Sequence, residues 1–92
     1  MDTKTYFMTG AGEAIVDGTV SILDRSKAPA MVYMDSSCKY FSTNPVILDS
    51  RGGAHIFIKS GLYMIRAYSR DQKLEWIINN IYIDKLNQMV CR

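Results

Sequence analysis

Turn chemistry recurs about every 8 to 12 residues along this chain, and a chain interrupted that often has room for strands and little else. The breaks are Gly10-Ala11-Gly12, Asp24-Arg25-Ser26-Lys27, Asp35-Ser36-Ser37, Asp49-Ser50-Arg51-Gly52, Ser60-Gly61 and Arg70-Asp71-Gln72-Lys73. Between them lie short runs rich in β-branched and aromatic residues, and no run keeps a helical period over a helical length. The expected fold class is all-β, a compact sandwich or barrel of about seven strands. With 92 residues there is material for one hydrophobic core, so a single domain is expected, with no room for a cofactor domain.

The strand expectations are specific. Thr3 to Thr9 forms a first strand that pairs either within the domain or, swinging on the glycine linker, with a neighbouring chain. Residues 1–13 are accordingly read as an N-terminal strand or arm, 14–83 as the sandwich and 84–92 as a polar C-terminal tail. From Ala14 to Leu23 the period of two turns Val16, Gly18, Val20 and Ile22 inward, with a bulge or close backbone approach at Gly18. Met31 to Met34 is a short apolar strand, and Pro45, lacking an N–H, opens the strand Val46-Ile47-Leu48. Ala54, Ile56 and Ile58 alternate against His55, Phe57 and Lys59 before a hairpin returns through Tyr63, Ile65 and Ala67. The last strand runs from Leu74 to about Ile83, with Asn79-Asn80 as a kink. One core is expected from Val16, Val20, Ile22, Ile56, Ile58, Tyr63, Ile65 and Trp76.

Composition then limits function. Eleven Lys and Arg against nine Asp and Glu, interspersed along the chain, give a net charge of +2 and no basic stripe for nucleic acid. No apolar run approaches the length of a membrane span, and the start Met1-Asp2-Thr3-Lys4 has neither part of a secretory signal, so no membrane partner and a cytoplasmic origin are expected. Cys38 and Cys91 belong to no Cys-x-x-Cys pair and are expected as two reduced thiols. His55, the single histidine, is expected at the surface with no nucleophile and base pattern around it. The carboxylates are scattered over turns and strand ends, and the Gly10-Ala11-Gly12 stretch lacks the Lys and Ser or Thr of a phosphate loop. The expectation is therefore a non-enzymatic protein with no cofactor and no metal.

Gly52 and Gly61 are expected to supply the positive φ that their turns require. Tyr63 is expected to bury its ring and donate its hydroxyl to a backbone carbonyl, and Trp76 to sit in the core. The hydrophobic share of 48 % leaves apolar residues beyond what one small core consumes, which points to an interface. Its candidate residues are Tyr6, Phe7, Met8, Tyr40, Phe41, Tyr68 and Tyr82.

Asn44-Pro45-Val46-Ile47-Leu48-Asp49, then Gly52, Ala54-His55-Ile56-Phe57-Ile58, Gly61-Leu62-Tyr63, Asp71 and Trp76 follow one another in an order that resembles a module of bacteriophage virion proteins. Gly18 to Asp24 and Tyr33-Met34-Asp35 match its upstream part. The resemblance spans roughly residues 14 to 83 and implies an immunoglobulin-like or transthyretin-like sandwich of the kind carried by tail-fibre, tailspike, collar and head-fibre proteins. It implies a structural role in the virion: a homo-oligomer, dimer or trimer, that docks on capsid or tail proteins. No receptor-binding or depolymerase domain follows the module, which turns the expectation away from polysaccharide cleavage. The alternative is a carbohydrate- or peptide-binding sandwich in which Tyr40 and Phe41, beside Ser42 and Thr43, stack on a ligand.

Overall fold

A computed structural model describes residues 3–92. One five-residue turn organises it. At Thr9, Asp24, Asp35, Asp49 and Ser69 a backbone carbonyl accepts the N–H three residues on, from Gly12, Lys27, Cys38, Gly52 and Gln72 respectively, at 2.9–3.1 Å. In every case that third residue has positive φ: Gly12 84°, Lys27 66°, Cys38 54°, Gly52 76° and Gln72 64°. The head side chain then accepts the N–H four residues on, from Glu13, Ala28, Lys39, Gly53 and Lys73. Asp, Ser and Thr carry the short acceptor this geometry needs, and the left-handed residue that follows lets the flanking segments twist correctly. Glycine occupies that position in two of the five turns, while Lys27, Cys38 and Gln72 hold it at the steric cost of a Cβ.

These turns join six short strands in two antiparallel sheets, with no helix among the described residues. β1 (Thr5–Tyr6) pairs with β4 (Gly53–Ala54), and β3 (Val46–Ile47), β2 (Thr19–Leu23), β5 (Gly61–Tyr68) and β6 (Leu74–Ile83) form the larger sheet in that order. The Cα radius of gyration is 12.2 Å, that of a close-packed chain of this length. All-β architecture is thus as expected. The seventh expected strand, Met31 to Met34, is reduced to Tyr33, which bridges Phe41 on one side and Phe57 on the other. Tyr33 and Phe57 exchange both backbone hydrogen bonds at 2.8 Å.

The core corrects several expectations. Val20, Ile22, Ile56, Ile58 and Ile65 are buried as the alternation requires, and Tyr63 and Trp76 pack against them from the margin. Val16 is exposed and Ile15 buried instead, because Asp17 takes φ 54° and resets the phase of the strand. Gly18 is the expected close approach: a Cβ there would stand 2.3 Å from the Tyr68 carbonyl oxygen. Phe57, expected on the outer face, is fully buried, because the Tyr33 segment covers the side of residues 54–58 that a half-buried strand would leave to water.

The described residues at both ends belong to the body. Of the two alternatives for the first strand, the structure takes pairing within the domain: Thr5 opposes Ala54 and Tyr6 opposes Gly53. Phe7, an expected interface residue, is instead a core residue, stacked on Trp76 with ring centroids 6.3 Å apart. Met1 and Asp2, which the N-terminal reading included, lie outside the described residues. The tail is not merely polar: Met89 and Val90 are buried and Val90 pairs with Ile58 in parallel. The expected reduced thiols are also overturned, since Cys38 and Cys91 form a disulfide with Cα atoms 5.7 Å apart. The parallel pairing of Val90 carries Cys91 to the positive-φ corner of the Asp35 turn, a proximity that no local pattern in the sequence encodes.

Asn44 explains why its tripeptide sits where it does. Its side-chain oxygen accepts the Ile22 N–H at 3.2 Å, and its amide nitrogen donates to the carbonyls of Ile22 and Ala30 at 2.8 and 3.0 Å. A side chain thereby replaces a strand residue beside β2 at the point where the cis peptide to Pro45 turns the chain into β3.

Candidate functional site

The larger sheet ends in two open edges of very different kind. β3 has two residues, and a short edge strand protects itself. β6 has ten, about twice the usual strand, and its outer side is unpaired among the described residues. Leu74, Ile77, Ile78 and Tyr82 are 45, 42, 41 and 64 % exposed along it, an apolar row of the kind that accepts another strand. The kink expected at Asn79-Asn80 is a bulge: Ile65 opposes Ile78 but Tyr63 opposes Ile81, and Asn80 takes φ 59°.

One side chain fixes this edge to the body and another fixes its neighbour β5. Trp76 donates its ring N–H to the Met8 carbonyl at 2.8 Å, tying the middle of the domain's longest strand to the N-terminal segment. Tyr63 donates its hydroxyl to the Lys59 carbonyl at 2.6 Å, the expected corner bond, and partial burial raises its pKa. Gly61 opens β5 beneath the Tyr63 ring, 3.5 Å from where a Cβ would stand.

Of the remaining interface candidates, Tyr68 opposes Leu74 of β6 and the Met8 carbonyl accepts the Trp76 ring N–H, whereas Tyr40 and Phe41 belong to the segment after the Asp35 turn. Tyr6 and Met8 are exposed beside the buried Phe7, and Tyr68 is half-buried at the far end of β5. Tyr40 and Phe41 are exposed near the Asp35 turn, with Phe41 stacked on Tyr33 at 5.1 Å between ring centroids. Met31 and Met34, also exposed, flank Tyr33 in the chain. Sequence reasoning singled out aromatic rings and so passed over Leu74, Ile77 and Ile78; the order of strands in the sheet, which makes them edge residues, is a long-range property. His55 is half-buried rather than at the surface, with Nδ1 shielded and without a hydrogen-bond partner.

The carboxyls whose pKa is lowered all head turns. The Ser37 hydroxyl and the Tyr40 and Lys39 amides hold the Asp35 carboxyl below its ordinary value, as the Ser26 hydroxyl and the Ala28 amide do for Asp24. Asp49 is lowered furthest, first by the Lys4 ammonium at 2.8 Å and then by the Gly53 and Arg51 amides. A carboxyl whose folded pKa lies below its unfolded value contributes stability above the unfolded pKa, and that contribution is lost as pH falls through the folded one. Thermal melts should therefore give a flat midpoint from about pH 7 to 5 and a fall below about pH 4, and Asp49→Asn should flatten the fall. A midpoint as high at pH 2.5 as at pH 6 would contradict this role for the turns.

Among the described residues no group of three or more His, Cys, Asp and Glu is placed to hold a metal ion, and no helix is long and apolar enough to cross a membrane. No protein-family model matches the chain, and a search of curated proteins found no match.

Proposed function

We propose that the chain is a non-enzymatic structural module of a bacteriophage virion, an immunoglobulin-like or transthyretin-like sandwich that acts by self-association and by docking on other virion proteins. The observation that carries the association is the open β6 edge with its exposed Leu74, Ile77, Ile78 and Tyr82. The virion setting is supported by the order of the Asn-Pro-Val, Asp-x-x-Gly and Gly-x-Tyr elements in the sequence. Each has a structural task here: Asn44 clamps β2, Asp49 heads a turn and Tyr63 bonds the Lys59 carbonyl. A glycan-binding role is less well supported. Tyr33 already stacks on the Phe41 ring, which leaves that ring less free to stack on a sugar.

The test is mass spectrometry of purified phage particles from the host that carries this gene. The 10.4 kDa chain is expected in the particles at a ratio to the major capsid protein that is constant between preparations. Particles that lack the chain, although it is abundant in the infected cell, would overturn the virion assignment.

A further inference from the structure

An antiparallel sheet with one face on the core ordinarily turns polar side chains outward, because the other face meets water. The larger sheet departs from that rule. Along β5, Tyr63, Ile65 and Ala67 lie on the core side, so Leu62, Met64, Arg66 and Tyr68 share the outer face. The register carries this face across the neighbouring strands. Thr19, Ser21 and Leu23 of β2 stand opposite Tyr68, Arg66 and Met64, and Ile47 of β3 stands opposite Thr19. On β6, Leu74, Ile77 and Tyr82 stand opposite Tyr68, Arg66 and Leu62. Both register shifts of β6 fall between these pairs, so each of the three keeps the face of its β5 partner.

The result is an apolar face with a single charge in it. Ile47, Leu74, Ile77 and Tyr82 are exposed, and Leu23, Leu62, Met64 and Tyr68 are only half-buried. Arg66 stands among them, between Ser21 and Ile77. Among the described residues its guanidinium makes no hydrogen bond or ion pair, and its Nε is shielded without an acceptor. Covering this face with a purely apolar surface would strand that charge. A second copy laid face to face would strand two, since none of the outward residues of the four strands is Asp or Glu. Asp24, at the rim beside Leu62 and Met64, already has its carboxyl bonded to Ser26 and the Ala28 amide.

From this half-complete pair, and resting on the docking half of the reading above, we infer that the outer face of the larger sheet seats another virion protein, whose own apolar patch carries an Asp or Glu carboxylate that pairs with Arg66. A carboxylate meets a guanidinium fork through two parallel hydrogen bonds, which fixes the orientation of the partner as well as holding it. Leu23, Met64 and Ile77 surround the pair and shut out water, the setting in which a central charged anchor contributes most to binding.

Photo-crosslinking in intact phage particles tests this, with benzoylphenylalanine in place of Tyr82, an exposed ring on the same face. The expected adduct joins this chain to a different virion protein, in a segment where an Asp or Glu lies among apolar residues. Arg66→Glu should lower the amount of chain in the particles about 10-fold, and reversal of the partner's acid to Arg should restore it to within about 3-fold. Ile77→Asp, which supplies Arg66 with a carboxylate from within the sheet, should also lower it about 10-fold. Lys39→Glu, exposed on the Asp35 turn, should enter particles like the parent. Melting midpoints within about 3 °C of the parent separate docking from folding in each variant. An adduct to a second copy, an adduct to a segment without an acid, no adduct, or parental levels of folded Arg66→Glu and Ile77→Asp each overturn the docking face while the chain remains a virion component. Particles without the parent chain overturn the virion reading itself, and the inference with it.

Discussion

Reduction of the Cys38–Cys91 disulfide is expected to destabilise the domain by about 4 kcal/mol, a large share of the roughly 5–14 kcal/mol that holds a chain of this size folded. The bond joins residues 53 apart, so its loss frees a long loop in the unfolded chain, and the closure entropy of such a loop sets that magnitude. It also has a local effect. Cys91 follows Met89 and Val90, whose side chains fill the core beside Ile58, and the Ile58 carbonyl accepts the Cys91 N–H at 2.8 Å. Without the bond the tail is held by those contacts and by the hydrogen bond from the Arg92 N–H to the Ser36 carbonyl at 2.7 Å. Urea unfolding of the parent with and without reductant, and of Cys38→Ser, measures the difference; the reduced parent and Cys38→Ser should have the same midpoint. A midpoint unmoved by reductant, with the bond verified by mass before reduction, would show that the disulfide contributes nothing to stability.

The second large effect is expected at Gly52. It has φ 76°, and a Cβ there would stand 2.7 Å from the Phe7 carbonyl oxygen and 3.0 Å from the Ile15 nitrogen, atoms of the backbone that cannot rotate away. Gly52→Ala should cost about 2–4 kcal/mol, the sum of a left-handed alanine and an overpacked contact. Gly12→Ala isolates the first part, since Gly12 has φ 84° and nothing within 4 Å of the added carbon. About 1–2 kcal/mol is expected there. Gly10→Ala has neither feature and should be near neutral. Chemical denaturation of the three variants checks the order; a Gly52→Ala protein as stable as Gly12→Ala would mean that the Phe7 and Ile15 segments yield to the added carbon.

What could be read in the sequence is what local physics determines. The alternation of Val20 and Ile22, the span of β6, the kink at Asn79-Asn80 and the hydroxyl bond of Tyr63 all follow from neighbours in the chain or from the period of a strand. The misses come from what lies across the chain. Phe57 is buried because Tyr33 crosses it, and Phe7 because Trp76 meets it. Val16 departs from the expected face because Asp17 takes a dihedral that its residue type permits but does not announce. A surplus of apolar surface was legible, but the exposure of Leu74, Ile77 and Ile78 was not, since the place of β6 at the sheet edge depends on strand order.

The five-residue turn divides the labour among positions in the sequence. It commits a short acceptor at its head and a left-handed dihedral three residues later, and in four of the five turns the two residues between face water, with Ser26 also bonding the head carboxyl. Gly10 and Ala11, Arg25 and Ser26, Ser50 and Arg51, and Arg70 and Asp71 occupy those places, all exposed. The outward character of the molecule, its charge and its chemical texture at the tips, is therefore written largely in letters that the architecture does not read, and lineages descended from one such chain can come to present unlike surfaces on the same frame.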